Sequence, residues 1–224
     1  RLLRDADALI HDYHPTAMAN LGLDYSILEK VNPRLVMTSL APFGLSGPRK
    51  NDQATDLTLW SAGGITYLNG GGPGTDDMPP LKPFGQQAGY QAGVNAAIAT
   101  LGALFSRLST NEGQHIEIST QECLMSILEF TFELYPYMGI FASRLGQKPI
   151  QPLDFLECKD GWIFLCCVEE QQWRNFLAVM DNPEWAGEAI FADRVNRGAN
   201  WDALKPLLQD WVQEQSVKDL YDKA

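Results

Sequence analysis

Basic runs, histidines, membrane-length apolar stretches and phosphate-binding glycine signatures are scarce or missing in this 224-residue chain, and each gap removes a class of function. Seventeen Lys and Arg stand against 28 Asp and Glu, a formal net charge of −11. Without a surplus of cations to neutralise phosphate, neither a nucleic acid nor an anionic membrane is the expected partner. The longest apolar stretches, such as WIFLCCV at Trp162–Val168, fall far short of the roughly 20 residues a membrane span requires. Three histidines and no G-x-S-x-G element leave a serine hydrolase unsupported. No G-x-G-x-x-G follows a strand pattern, so a dinucleotide cofactor is not expected. The glycine-rich segment Asn69–Thr75 lacks a GK[ST] ending and does not open a helix, so it reads as a connector or lid. Four cysteines without C-x-x-C spacing read as reduced thiols in a cytoplasmic protein. Cys166 and Cys167 are adjacent in an apolar run, where one would point to each face of a strand.

What is present is regular patterning. Asp5–Tyr13 (DADALIHDY) and Arg34–Leu40 (RLVMTSL) read as buried strands. Between them Ile27, Leu28 and Val31 fall at helical spacing, and strand–helix–strand order implies a parallel pair. From Ala88 to Leu108, Val94, Ile98, Leu101, Phe105 and Leu108 make a large apolar face, while Ala88, Ala92, Ala96, Ala99 and Ala103 make a small one. Such a helix is expected between two neighbours. In Asn111–Ser119, Ile116 and Ile118 alternate with His115, Glu117 and Ser119, and Gln121–Leu145 reads as a long helix kinked at Pro136.

The texture then changes. Asp154–Val168 reads as a hairpin turning at Lys159–Asp160–Gly161, followed by amphipathic helices over Gln171–Met180 and Asn200–Gln215. A boundary near Gly146–Pro152 divides residues 1–148, an α/β layer domain, from residues 149–224, a smaller α+β domain. The chain opens at Arg1 without Met and stops at Ala224 within a helical pattern, so it reads as part of something longer.

Few side chains announce chemistry. His11-x-x-His14 lacks a third ligand nearby, so solvation or local hydrogen bonding is the better reading, and no metal is expected. His115 reads as a polar-face strand residue. Asp56, Asp76, Asp77, Glu117 and Glu122 are available carboxylates that read as caps or surface charges.

Several ordered motifs carry the argument further. Asn32–Pro48 (NPRLVMTSLAPFGLSGP) resembles a signature of the class III CoA-transferases, the CaiB/BaiF type that includes formyl-CoA transferase and α-methylacyl-CoA racemase relatives. Asp5–Leu28 is similar to that family's ADVLVENFRPG region, Glu112–Ser119 to its GRGQ strand, and Glu157–Leu165 with Trp173 to the opening of its small domain. The resemblance implies an incomplete Rossmann-like large domain with a long connecting helix, a smaller domain, and an interlocked dimer. It implies no metal and no covalently bound cofactor, with a coenzyme A thioester and a carboxylic acid as substrates. An isolated fragment of this fold would expose apolar surface that the rest of the fold and the partner cover.

In such transferases an aspartate at the start of the helix after the glycine-rich loop attacks the acyl-CoA thioester, giving an acyl-aspartyl anhydride and CoA thiolate. Matching GQQAGYQAG to the family pattern puts that aspartate at Gly89, which has no side chain. No acid lies between Asp77 and Glu112. By motif position, the contacts to the CoA nucleotide fall at Asp12, Tyr13 and Asn20. An anion replaces an amide at Asp12 and a cation is lost at Asn20, which together weaken CoA binding by roughly 1–3 kcal/mol if the site is partly buried. The racemase histidine falls at Thr55, beside Asp56, and the second racemase acid again at Gly89. Two readings follow. In one the chain transfers CoA with a nucleophile from another chain, a tandem half, or Asp76 or Asp77. In the other it is a silent CoA-transferase-like half that scaffolds an active partner, as a homodimer or beside a second family copy.

Overall fold

The computed structural model describes residues 1–69, 77–144 and 150–223. The chain divides into two compact units, residues 1–69 with 79–141 and residues 142–224 with 70–78. Most of the glycine-rich segment, Asp76 and most of the expected boundary at Gly146–Pro152 lie outside the described residues.

In the first unit, β1 (Ala8–His11), β2 (Val36–Ala41) and β3 (Gln114–Ser119) form a parallel sheet in the order β1-β2-β3. Register pairs His11 with Ser39 and Met37 with His115. Two short helices, α1 (Pro15–Asn20) and α2 (Tyr25–Val31), cross from β1 to β2, because parallel neighbours need a connection longer than a hairpin. Strand alternation sorts the side chains as the sequence pattern implies. Leu35 and Met37 face Met18 and Leu28. Leu40, Ile116 and Ile118 face Ala92 and Ala96 of α5 (Gln87–Thr110) on the other side. A hydrogen bond of 2.7 Å joins the buried hydroxyls of Thr38 and Thr100 across that second interface.

The amino edge of the sheet is tied by polar groups. Asn32 donates to the carbonyls of Leu3 and Ala6 and accepts from the Arg34 amide, which makes the Asn-Pro start of the signature a corner brace. Arg107, in the last turn of α5, donates to the carbonyls of Asp7 and Arg34 and pairs with the Asp7 carboxylate at 2.7 Å. A cation suits that position, where unsatisfied carbonyls concentrate negative potential. Gly113 is required by closeness: a β-carbon there would sit 2.1 Å from the Leu35 carbonyl oxygen.

Between β2 and α5 lie α3 (Asp56–Ala62) and α4 (Ile65–Leu68), separated by Gly63 and Gly64. After β3 the expected single helix is two. In α6 (Thr120–Ser126) and α7 (Phe130–Met138) the break falls at Ile127–Glu129, where Glu129 takes φ 40°, and Pro136 sits inside α7. The backbone reversal at Glu129 separates α6 from α7, while Pro136, which has no N–H to give, lies within α7.

The expected sandwich of α5 is half realised. Of its small face, Ala88, Ala92, Ala96 and Ala103 are buried and Ala99 is half-buried, with Thr100 buried beside them. The large face, from Tyr90 through Val94, Ile98, Leu101, Phe105 and Leu108, is 57–78 % exposed. Small side chains let the helix backbone approach the sheet closely, and the bulky ones are left without a neighbour among the described residues.

The second unit pairs β4 (Leu153–Cys158) with β5 (Gly161–Cys166) in an antiparallel hairpin. Onto it pack α8 (Glu170–Val179), α9 (Arg194–Ala199), α10 (Trp201–Val212) and α11 (Val217–Lys223). Leu156, Leu165, Trp173, Leu177, Phe191, Trp201, Leu204, Leu208 and Val212 share one buried cluster. At its heart Arg197 is fully buried, donating to the Gln151 and Phe191 carbonyls and to Glu170 at 2.8 Å, over the ring of Trp173. Cys166 is exposed and Cys167 buried, one thiol to each side of the strand end.

Candidate functional site

Two places in the first unit bring chemically capable groups together. The first is the start of α5. Asp56 opens α3, but its carboxylate reaches across to the α5 terminus: Oδ1 accepts from the Ala88 amide at 2.8 Å and Oδ2 pairs with Lys82 at 2.6 Å. Lys82 also donates to the carbonyls of Pro83 and Gly85. One anion thereby satisfies an orphan amide of the helix end and one cation closes the turn before it. Gly89 follows one residue later, exposed, and a β-carbon added there would meet nothing within 4 Å. Asp77 is exposed.

The second is a cavity of about 310 Å³ lined by His11, Thr16, Asp24, Tyr25, Ser39, Lys50, Asn51 and His115 among others. Open α/β sheets commonly bind ligands beyond the carboxyl ends of their strands; His11 ends β1, while Ser39 lies within β2 and His115 near the start of β3. Ser39 Oγ lies 2.7 Å from His11 Nε2 and 2.9 Å from His115 Nε2. The Tyr25 ring stacks on the His115 imidazole at 5.2 Å between centroids. Burial holds the His11 imidazole below its ordinary pKa of 6.5; neighbouring His115 adds to that and Asp12 opposes it. Burial also lowers His115, against Glu117 and Asp24. The Glu117 carboxylate accepts from the Leu45 amide, and Gly44 at φ 84° brings that loop so close that a β-carbon would lie 2.6 Å from Glu117 Oε1.

Of the residues picked by motif position, Asp12 and Tyr13 follow β1 and are exposed, and Asn20 ends α1, also exposed. They border the chain segments that line the cavity without lining it themselves. His14 is held locally, by Thr16 Oγ1 at 2.8 Å and the Asn51 carbonyl at 3.3 Å, while His11 turns to Ser39. Among the described residues no cluster of three or more His, Cys, Asp or Glu is arranged to hold a metal. The grouping of His11, Ser39 and His115 was not foreseen. Its one sequence signal is that His11 and His115 both fall in segments that read as strands; a separation of 104 positions in the sequence hides their meeting. A larger cavity of about 700 Å³ in the second unit is lined by Phe164, Phe176 and Leu220 together with Cys166, Gln172, Asn175 and Lys223, with no histidine or carboxylate among its lining residues.

A parallel sheet layered by helices, with a cavity against one of its faces and a separate α+β unit, defines an α/β protein of Rossmann-like type. The family model for CoA-transferase family III matches residues 1–224, and the chain belongs to that family. It is 29% identical over 96% of its length to an acetyl-CoA:oxalate CoA-transferase from Acetobacter aceti. It is 28% identical to the beta subunit and 27% identical to the alpha subunit of succinyl-CoA–L-malate CoA-transferase from Chloroflexus aurantiacus, over 100% and 95% of its length. The chain spans about half the length of these curated relatives, 50–55%. Among solved structures, a CaiB/BaiF family protein from Brucella suis superposes with a TM-score of 0.74 at 29% identity, covering 99% of this chain and 58% of that one. A Mycobacterium tuberculosis structure matches with a TM-score of 0.84 at 21% identity, over 100% of this chain and 58% of that one, a likeness of fold. No described helix is long and apolar enough to cross a membrane.

Proposed function

We propose that this chain is a catalytically silent CoA-transferase-like half that works beside a second family III chain, which supplies the nucleophilic carboxylate for acyl-CoA:carboxylate CoA transfer. One observation carries the reading: the position that the family pattern gives to the nucleophile is Gly89, on an open first turn of α5. Anhydride formation needs a carboxylate there. The nearest one described, Asp56, is engaged by Lys82 and the Ala88 amide, and its side chain is 8 % exposed. Attack by Asp56 would forfeit both partners and require it to leave the helix end.

A partner is supported from two sides. The large face of α5 is an exposed apolar stripe, the kind of surface that association covers. Two relatives are the alpha and beta subunits of one CoA-transferase, so paired family chains have a precedent there. CoA itself is assigned to the carboxyl edge of the sheet, next to Asp12, Tyr13 and Asn20. The anion at Asp12 and the missing cation at Asn20 predict weak binding of a polyanionic ligand to this half alone.

The test is incubation of the protein alone, with acyl-CoA and an isotopically labelled carboxylic acid, followed by mass spectrometry of the thioester. No label transfer is expected, and transfer would overturn the silent assignment. Gly89→Asp is sterically open, and acyl-aspartyl or CoA-thioester adducts on that variant would show that the remaining pocket is competent. The working alternative, with Asp77 as nucleophile, predicts transfer by the wild type that is lost in Asp77→Ala.

A further inference from the structure

We propose that His11, Ser39 and His115 form a proton-sensitive clasp that ties all three strands of the parallel sheet together at the cavity wall and releases as the imidazoles take up protons. One hydroxyl serves two imidazoles from opposite edges of the sheet: Ser39 Oγ on β2 is 2.7 Å from His11 Nε2 on β1 and 2.9 Å from His115 Nε2 on β3. Ser39 is 1% exposed and His11 8% exposed, so water does not readily replace the bond between them, whereas His115 reaches Ser39 from a more exposed position. A hydroxyl has a single proton to donate. The two imidazole nitrogens are the only hydrogen-bond partners of Ser39 Oγ among the described residues, so the full set of bonds requires opposite tautomers. One Nε2 accepts from the hydroxyl and the other donates to it. His11 Nδ1 is buried without a partner, so the protein has no second bond that would hold a charged His11.

The surroundings set the direction. Around the trio stand Asp12 after β1, Asp24 and Tyr25 at the start of α2, Glu117 on β3 and Lys50 in the loop after β2; α1, Pro15–Asn20, brings no ionisable group. Asp12, Asp24 and Glu117 favour imidazolium, but burial outweighs them and both imidazoles stay below 6.5. The unfolded chain therefore takes up protons first as pH falls. The stability that the neutral pair contributes is fully present above about 6.5 and is lost as pH drops toward the folded values. When both rings are charged, two cations face one oxygen, and their repulsion draws the edge strands away from Ser39.

Nitrogen-15 NMR of the imidazoles in the 224-residue protein, titrated from pH 8 to pH 4.5, reads this directly. His11 and His115 are expected in opposite tautomers at pH 8, with midpoints below 6.5, and β2 amides should shift in step with them. Ser39→Ala should abolish the tautomer order while leaving the His14 resonances in place. The same tautomer on both rings, or midpoints at 6.5, overturns the proposal. The wild-type titration decides the matter even if Ser39→Ala fails to fold. The clasp is independent of CoA transfer, so this result and that of the labelling experiment are separable.

Discussion

The second unit buries Trp173, Trp201 and Phe191 in its core, while α5 of the first unit buries alanines and leaves its own largest side chains in solvent. Trp173, Trp201, Phe191, Leu204 and Leu208 converge around Arg197 in a core that the unit closes by itself. In α5 the order is reversed, with Ala88, Ala92 and Ala96 inside and Phe105 and Leu108 76–78 % exposed. The difference separates two uses of apolar surface. One holds a unit together, and the other waits for a neighbour, as the proposed pairing requires.

Leucine truncation on each side tests that contrast with the largest effect. Leu208→Ala, at a fully buried position, should cost about 2–5 kcal/mol because a cavity remains where the side chain was. Leu101→Ala, at 66% exposure, should change the stability of the isolated chain by less than about 0.5 kcal/mol. Urea unfolding followed by tryptophan fluorescence suits the first, since Trp162, Trp173, Trp185, Trp201 and Trp211 all lie in the second unit. Backbone circular dichroism suits the second. Equal costs would erase the distinction. Phe105→Lys should leave the monomer folded and reduce association in sedimentation if the stripe is the partner's seat.

A smaller effect is expected at the α5 start. Asp56→Asn retains an oxygen acceptor for the Ala88 amide but removes the charge that Lys82 pairs with, so a loss of roughly 1–2 kcal/mol is expected. Hydrogen exchange should locate it, with faster exchange in the first turn of α5 and little change in α10. Uniform loosening would show that this contact is not local.

The least costly probe uses the adjacent thiols. Burial pushes the Cys167 thiol up to about 11, so it stays protonated and unreactive at pH 8, and its thiolate appears only as pH rises toward that value. Iodoacetamide at pH 8 should label exposed Cys166 well before Cys167. Labelling of both at equal rates would mean that the second unit's core is less closed than its packing indicates.

Local pattern was enough for most of the architecture. Alternation in Gln114–Ser119 sorted Ile116 and Ile118 from His115 and Glu117, and the structure puts the two isoleucines on α5. Helical spacing identified α5, α8 and α10, and the two-residue turn between β4 and β5 followed from Lys159 and Asp160. Periodicity failed where a single backbone dihedral decided: nothing in Ile127–Glu129 announces the break between α6 and α7. Asp56 read as a helix cap or surface charge and is a cap, but on α5, 32 residues away.

The sequence by itself determined the family, the strand and helix periods, and the absence of an acid between Asp77 and Glu112, because motifs and side-chain periods are local properties. Only the tertiary structure decided that Asp56 and Lys82 occupy each other at the α5 start, and that His11 and His115 meet on one serine hydroxyl. Sheet order caused the second: β2 lies between β1 and β3, and the parallel register brings Ser39 within reach of both histidines.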